Sequence, residues 1–256
     1  MQNFFDDLIA QLLTLQINLY ACTERLQART DGEALHDLRI AVRKLRSLLR
    51  PLRGLFNCSR LEQAARAVAQ LSGPLRDSEV LLQQLHACAV PAAQRARQQQ
   101  LQAGYAQLLR SPQLRELFAA LDAWVPACRQ AQAAGELRGA GKHSRKRLAK
   151  TLQALLRALA LVNFDRHRLR LLLKRLRYGA QAYPQLIALK RRQLSALSAA
   201  QSALGDWHDL QQWLMCAQQQ KDLQPLAMAW QGSLLACELT CEQRLLQLQT
   251  AFKHCG

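Results

Sequence analysis

Histidine, arginine and lysine recur in this chain at spacings that suit the gripping of a polyanion. The densest segment is Leu35-His36-Asp37-Leu38-Arg39-Ile40-Ala41-Val42-Arg43-Lys44-Leu45-Arg46. On a helix at about 100° per residue, Leu38, Val42, Leu45, Leu49 and Leu52 share one side. His36, Arg39, Arg43, Arg46 and Arg50 share the other, in a stripe roughly 80° wide. Glu33 and Asp37 both miss it. A solvated helix face usually interleaves acids with bases, because like charges at i,i+4 cost a few tenths of a kcal/mol each. A guanidinium offers a planar fork of donors that fits phosphate oxygens and stays charged at any relevant pH. Helix turns lie about 5.4 Å apart, so a base on each turn makes a rail for a linear polyanion.

The segment comes back 131 residues later as Arg166-His167-Arg168-Leu169-Arg170-Leu171-Leu172-Leu173-Lys174-Arg175-Leu176-Arg177. Identity holds at 36/167, 38/169, 39/170, 45/176 and 46/177. His167, Arg170, Lys174 and Arg177 again form one stripe. The echo continues downstream, where Leu71-Ser72-Gly73-Pro74-Leu75-Arg76-Asp77 is matched by Ala203-Leu204-Gly205-Asp206-Trp207-His208-Asp209. Composition alone does not repeat a basic stripe, so the pattern reads as internal duplication. A third stripe, roughly 100° wide, follows Lys142 and contains His143, Lys146, Arg147, Lys150 and Arg157.

These residues resemble the conserved histidine α-helical domain, or CHAD, family. Its hallmark is a His-x-x-Arg-x-x-x-(Arg/Lys)-(Arg/Lys)-x-Arg helix, present twice. His36 to Arg46 fits that pattern with Arg43-Lys44 at the variable pair, and His167 to Arg177 fits it with Lys174-Arg175. Leu176-Arg177-Tyr178 and Gly73-Pro74-Leu75-Arg76-Asp77 are similar to further family segments, so the likeness spans nearly the whole chain. The resemblance implies an all-α fold of two pseudo-symmetric four-helix bundles around a basic central groove or pore. It implies binding of inorganic polyphosphate, or of phosphate and sulfate anions. Association with polyphosphate or polyhydroxyalkanoate storage granules is a further expectation on the same ground.

The elements that must position these stripes are helices. Of the 256 residues, half are hydrophobic and only 5% aromatic, and Gly and Pro are sparse. No alternating run is long enough for a sheet. Helices are expected over residues 3–29, 60–72, 74–88, 91–110 and 112–133, with Pro74, Pro91 and Pro112 at first-turn positions. Asp31 is a candidate N-cap for the first motif helix, and Pro51 should end it near Arg50. Three glycines between Gly135 and Gly141 mark a link, so the expected organisation is a single domain with halves 1–135 and 142–256. In the second half, the motif helix should end before Pro184, and helices at about 187–204, 207–220 and 225–253 complete it.

Thirty-five Lys and Arg against eighteen Asp and Glu give a net charge of +17. A domain that self-repels this strongly works beside a polyanion, and nucleic acid, anionic membrane and polyphosphate all qualify. No apolar run reaches the roughly 18 residues of a membrane span. The N-terminus lacks a signal peptide's positive region, so a cytoplasmic location is expected. Eight scattered cysteines without a Cys-x-x-Cys pair read as reduced thiols.

Catalysis is not expected. Phosphoryl transfer needs metal-holding carboxylates beside the bases, and the stripes contain none. Asp77 and Asp209 read as salt-bridge partners of the motif arginines. Histidines this dispersed predict no metal site, and no cofactor is implied. Gly141-Lys142 fails the phosphate-loop pattern, because Gly135 is one residue too distant and His143 replaces Ser or Thr. The alternatives are RNA binding and an accessory role in a polyphosphate-metabolising enzyme. Single-strand binders interleave aromatics with their bases, whereas Tyr178 is the one aromatic in the two motif helices.

Overall fold

The computed structural model describes residues 2–56, 58–88, 91–161 and 164–253, and all regular structure among them is helical. In chain order the helices are α1 (Gln2–Ala28), α2 (Ala34–Leu49), α3 (Ser59–Ala87), α4 (Pro91–Arg110), α5 (Pro112–Ala133), α6 (Ala140–Leu159), α7 (Arg166–Ala182), α8 (Arg191–Gln219) and α9 (Ala227–Lys253). Short 3₁₀ turns cover Arg50–Leu52 and Lys221–Leu226. No helix is long and apolar enough to cross a membrane, among the described residues.

The chain divides into two compact units. The first takes residues 1–87 and 94–147, and the second takes 88–93 and 148–256. The division falls within α6, after Arg147, and the glycine-rich stretch itself is a turn with Gly135 and Gly139 at positive φ.

In the first unit, α2 packs against α1 and α3, and α5 against α3. Leu26, Ala34, Leu35 and Leu108 share one apolar cluster from α1, α2 and α4. Gly104 lets α4 close on α3, since a Cβ there would run into the Leu75 side chain. In the second unit, Leu155, Leu169, Leu173, Leu176, Leu197, Leu204, Leu245 and Leu248 build a core drawn from α6, α7, α8 and α9. Each fully buried leucine contributes about 1.5–3 kcal/mol.

Several boundaries differ from expectation. Pro74 does not restart the chain but sits inside α3. A proline there removes one helical donor and crowds the carbonyl four residues back. Residues 187–220 hold one helix, α8, with no break near Gly205. Pro51 does end α2, as a 3₁₀ turn begins at Arg50. The α2 N-cap is Glu33 without a side-chain bond; Asp31 instead accepts from the Glu33 backbone N–H at 2.9 Å. Ser111 caps α5, accepting from Leu114 N at 3.2 Å, with Pro112 in the first turn. The seven described cysteines are free thiols, and Cys255 lies outside the described residues.

Candidate anion-binding site

The apolar face of α2 decides where its bases point. Leu35, Leu38, Val42, Leu45 and Leu49 are all buried in the first unit. His36, Arg39, Arg43, Arg46 and Arg50 are thereby held on other faces, all half-buried, while Lys44 is exposed. Long basic side chains of this kind can pack their aliphatic stems along the protein while their polar heads find other partners.

Arg39 has a second attachment. Its Nη1 donates to the Ala69 carbonyl at 3.1 Å and to Ser72 Oγ at 3.0 Å. Ser72 is fully buried and passes its own proton to the Val68 carbonyl at 2.7 Å. These acceptors lie in the turn of α3 just before Pro74, where the helical ladder loses a donor. Burial pulls the Arg39 pKa down and the Arg43 charge adds to this, whereas Asp77 and Glu79 act the other way.

Asp31, Asp37 and Glu79 are engaged by bases outside the stripe. Arg25 binds Asp31 and Asp37, each at 2.8 Å, and holds the Asp31 carboxyl well below the usual range. Arg76 pairs with the buried Glu79 at 2.8 Å, and the Tyr105 hydroxyl donates to the same carboxylate at 2.5 Å. Burial and that hydrogen bond raise the Tyr105 pKa. On the part of α6 within the first unit, Lys146 is exposed and Arg147 half-buried. His143 Nε2 lies 2.9 Å from the Arg53 carbonyl, which can only accept, so this ring nitrogen carries the proton.

In the second unit, α7 is set by a cap and an apolar face. Asp165 accepts from the backbone N–H groups of His167 and Arg168, at 2.8 and 3.1 Å. Leu169, Leu172, Leu173 and Leu176 are buried. Arg170, Lys174 and Arg177 are half-buried; His167 and Arg175 are exposed, as is Lys150 on α6. The Arg177 guanidinium sits 5.8 Å from the centroid of the Tyr178 ring. Gly179 permits α6 to approach, because a Cβ there would lie 2.9 Å from Leu148 Cδ2.

Sequence reasoning did not select two residues at the start of α7 and beside it. His208 on α8 places its ring 6.1 Å from that of His167. Its pKa is pushed down to about 4, chiefly by burial and then by the charges of Arg170, Lys174 and His167. His208 is therefore neutral at pH 7 and offers one N–H donor. Its segment was visible as a repeat, but the aligned residue is Arg76, so residue identity gave no signal. Arg166 is half-buried and reaches away from the stripe to Glu238 and Glu242, both at 3.1 Å, and over the Trp207 ring at 5.8 Å. It ties α7 to α9 and α8.

Each unit thus presents a row of cations on a helix whose opposite face is locked in a core. No group of three His, Cys, Asp or Glu is placed to hold a metal among the described residues.

Residues 11–218 match the family model for the CHAD domain. Among solved structures, the chain is similar to the CHAD domain from the plant Ricinus communis. Identity is 25%, coverage is 96% of this chain and 90% of that one, and the TM-score is 0.71. It also shares the fold of PptA from Streptomyces chartreusis, at 19% identity, with 97% and 98% covered and a TM-score of 0.55. No curated protein matches the chain. With its paired His-x-x-Arg helices and a match over 208 residues (11 to 218), this chain belongs to the CHAD domain family.

Proposed function

We propose that this protein is a binding module for inorganic polyphosphate. The observation that carries the reading is the paired basic stripe. Arg39, Arg43 and Arg46 on α2, and Arg170, Lys174 and Arg177 on α7, lie on faces set by buried leucines. Membership of the CHAD family supports it. The ligand would be gripped by charge-assisted hydrogen bonds from guanidinium and ammonium groups, with His36, His167, Lys44, Arg50 and Arg175 as outlying contacts. His143, Lys146, Arg147 and Lys150 on α6 would extend the cationic surface. The reading includes the duplication into two bundles and a shared basic groove, as the family resemblance implies. It assigns binding and no catalysis, and storage granules as a place where such a module works.

The test is titration of labelled polyphosphate into wild type and into an Arg39→Ala/Arg170→Ala double variant, at two salt concentrations. Bonds to charged groups contribute about 1.5–3 kcal/mol each, so the variant should bind on the order of a hundredfold more weakly. Wild-type affinity should fall with salt as counterions are released. RNA and orthophosphate serve as competitors. RNA that displaces polyphosphate at equal charge would replace this reading with the nucleic-acid one. Equal affinity of a folded variant would remove the stripes as the site.

A further inference from the structure

Helix α9 is apolar on two opposite faces. Trp230, Cys241, Leu245, Leu248 and Ala251 are buried on the inner one. On the outer one, Met228, Leu235, Leu239 and Leu246 are 89%, 62%, 63% and 63% exposed. At about 100° per residue these four fall within roughly 40° of one another, a continuous stripe about 27 Å long. A helix that is apolar all round is normally covered on all sides. The stripe lies beyond residues 11–218, outside the segment the family model matches.

Two features say what covers it. The first is spacing. The four residues follow one another at seven, four and seven positions, so the row reads the same in both directions about position 237. Turned end for end on a second copy, Met228 meets Leu246 and Leu235 meets Leu239. Isologous contact requires this self-complementarity. The second is charge. In a chain of net charge +17, α9 carries two bases, Arg244 and Lys253, and two acids, Glu238 and Glu242. Both acids face Arg166 of their own unit. Two copies that repel elsewhere meet least resistance along this neutral helix.

We infer that α9 is a self-docking surface on which two copies of this chain pair their last helices antiparallel, about a twofold axis at position 237. A helix about 40 Å long and 10 Å wide offers a footprint on the order of 400 Å² per copy. Stable interfaces bury about 800 Å² per partner, so this dimer is weak and reversible. Salt screens the repulsion between copies and should tighten it, opposite to the effect on polyanion binding.

Sedimentation velocity of the full-length protein over a concentration series, at low and high salt, tests the pairing. The expected result is a concentration-dependent dimer that salt strengthens and that Leu239→Glu weakens at least tenfold. Circular dichroism should find this variant as helical as wild type, because the side chain it replaces faces solvent. Geometry is tested by mixing Met228→Cys and Leu246→Cys proteins under mild oxidation. Disulfide-linked dimers should form in the mixture, and neither variant alone should exceed wild type. Cross-linking of Met228→Cys to itself would establish parallel pairing and overturn the proposal. So would a wild type that stays monomeric at every concentration, including one that cosediments with phosphatidylglycerol vesicles, which would assign the stripe to a lipid surface.

Discussion

The two motif helices began from nearly the same residues and are embedded differently. In the first unit, Arg39 is fastened to α3 through Ala69 and Ser72, and the residue three after the glycine shared by both halves, Arg76, is locked in an ion pair with buried Glu79. In the second unit the matching positions hold Leu204 for Ser72, His208 for Arg76 and, three positions further, Gln211 for Glu79. There, a neutral histidine stands beside Arg170 and Lys174, and its depressed pKa registers their field. The contrast teaches that repeating a motif does not repeat its duties. Arg39 serves the fold as well as the stripe, whereas the second stripe is bordered by a group that can respond to what binds.

The largest effect expected from this contrast is on binding. Removing Arg170 and Lys174 together should weaken polyphosphate binding about a hundredfold or more, at roughly 1.5–3 kcal/mol per charged contact. Circular dichroism checks that this variant remains folded. Arg39→Ala, by comparison, should lower both affinity and stability. Breaking its two bonds to α3 should cost roughly 1.5–3 kcal/mol by denaturant titration. If Arg170→Ala destabilises the protein as much as Arg39→Ala does, the difference between the units disappears. Ser72→Ala should cost less, about 0.5–1.5 kcal/mol, since Arg39 keeps the Ala69 carbonyl. A double-mutant cycle with Arg39→Ala should then give a coupling that Leu204, at the matching place, cannot supply.

The smallest effect is the most diagnostic. An ordinary histidine titrates near 6.5, and His208 does so at about 4 in the folded chain. Between those values the unfolded chain binds a proton that the folded chain does not. Stability should therefore fall as pH drops from about 6.5 toward 4, and His208→Gln should flatten that slope. Polyphosphate that neutralises Arg170 and Lys174 should raise the His208 pKa, read from its ring proton by NMR at a series of pH values. A His208 titration unmoved by saturating polyphosphate would place the bound charge away from this stripe.

The helical class and the two stripes were legible because each rests on local periodicity, and the family was legible from the resemblance of the paired His-x-x-Arg segments. Leucines at helical spacing are buried by whichever core forms, and that forces the bases of α2 and α7 to other faces. The continuity of α3 through Pro74 was not legible. A proline's local cost argues for a break, and the packing of α3 against α2 and α5, with Arg39 bonded into the preceding turn, outweighs it. The Asp165 cap and the clasp of Arg166 onto Glu238 and Glu242 were missed for different reasons. The cap waited on knowing where α7 begins, and the clasp joins residues more than seventy positions apart.

By itself, the sequence determined what every residue carries locally: charge, helix preference and which side of a helix is apolar. That was enough to specify an all-helical chain with two basic rows and an excess of positive charge. Only the tertiary structure decided which cations are committed to the protein's own carbonyls and carboxylates. It alone brought His208 beside His167 and left the outer face of α9 uncovered. The physical reason is that hydrogen bonds, burial and electrostatic shifts depend on distances between segments remote in the chain, and helical periodicity carries no information about those distances.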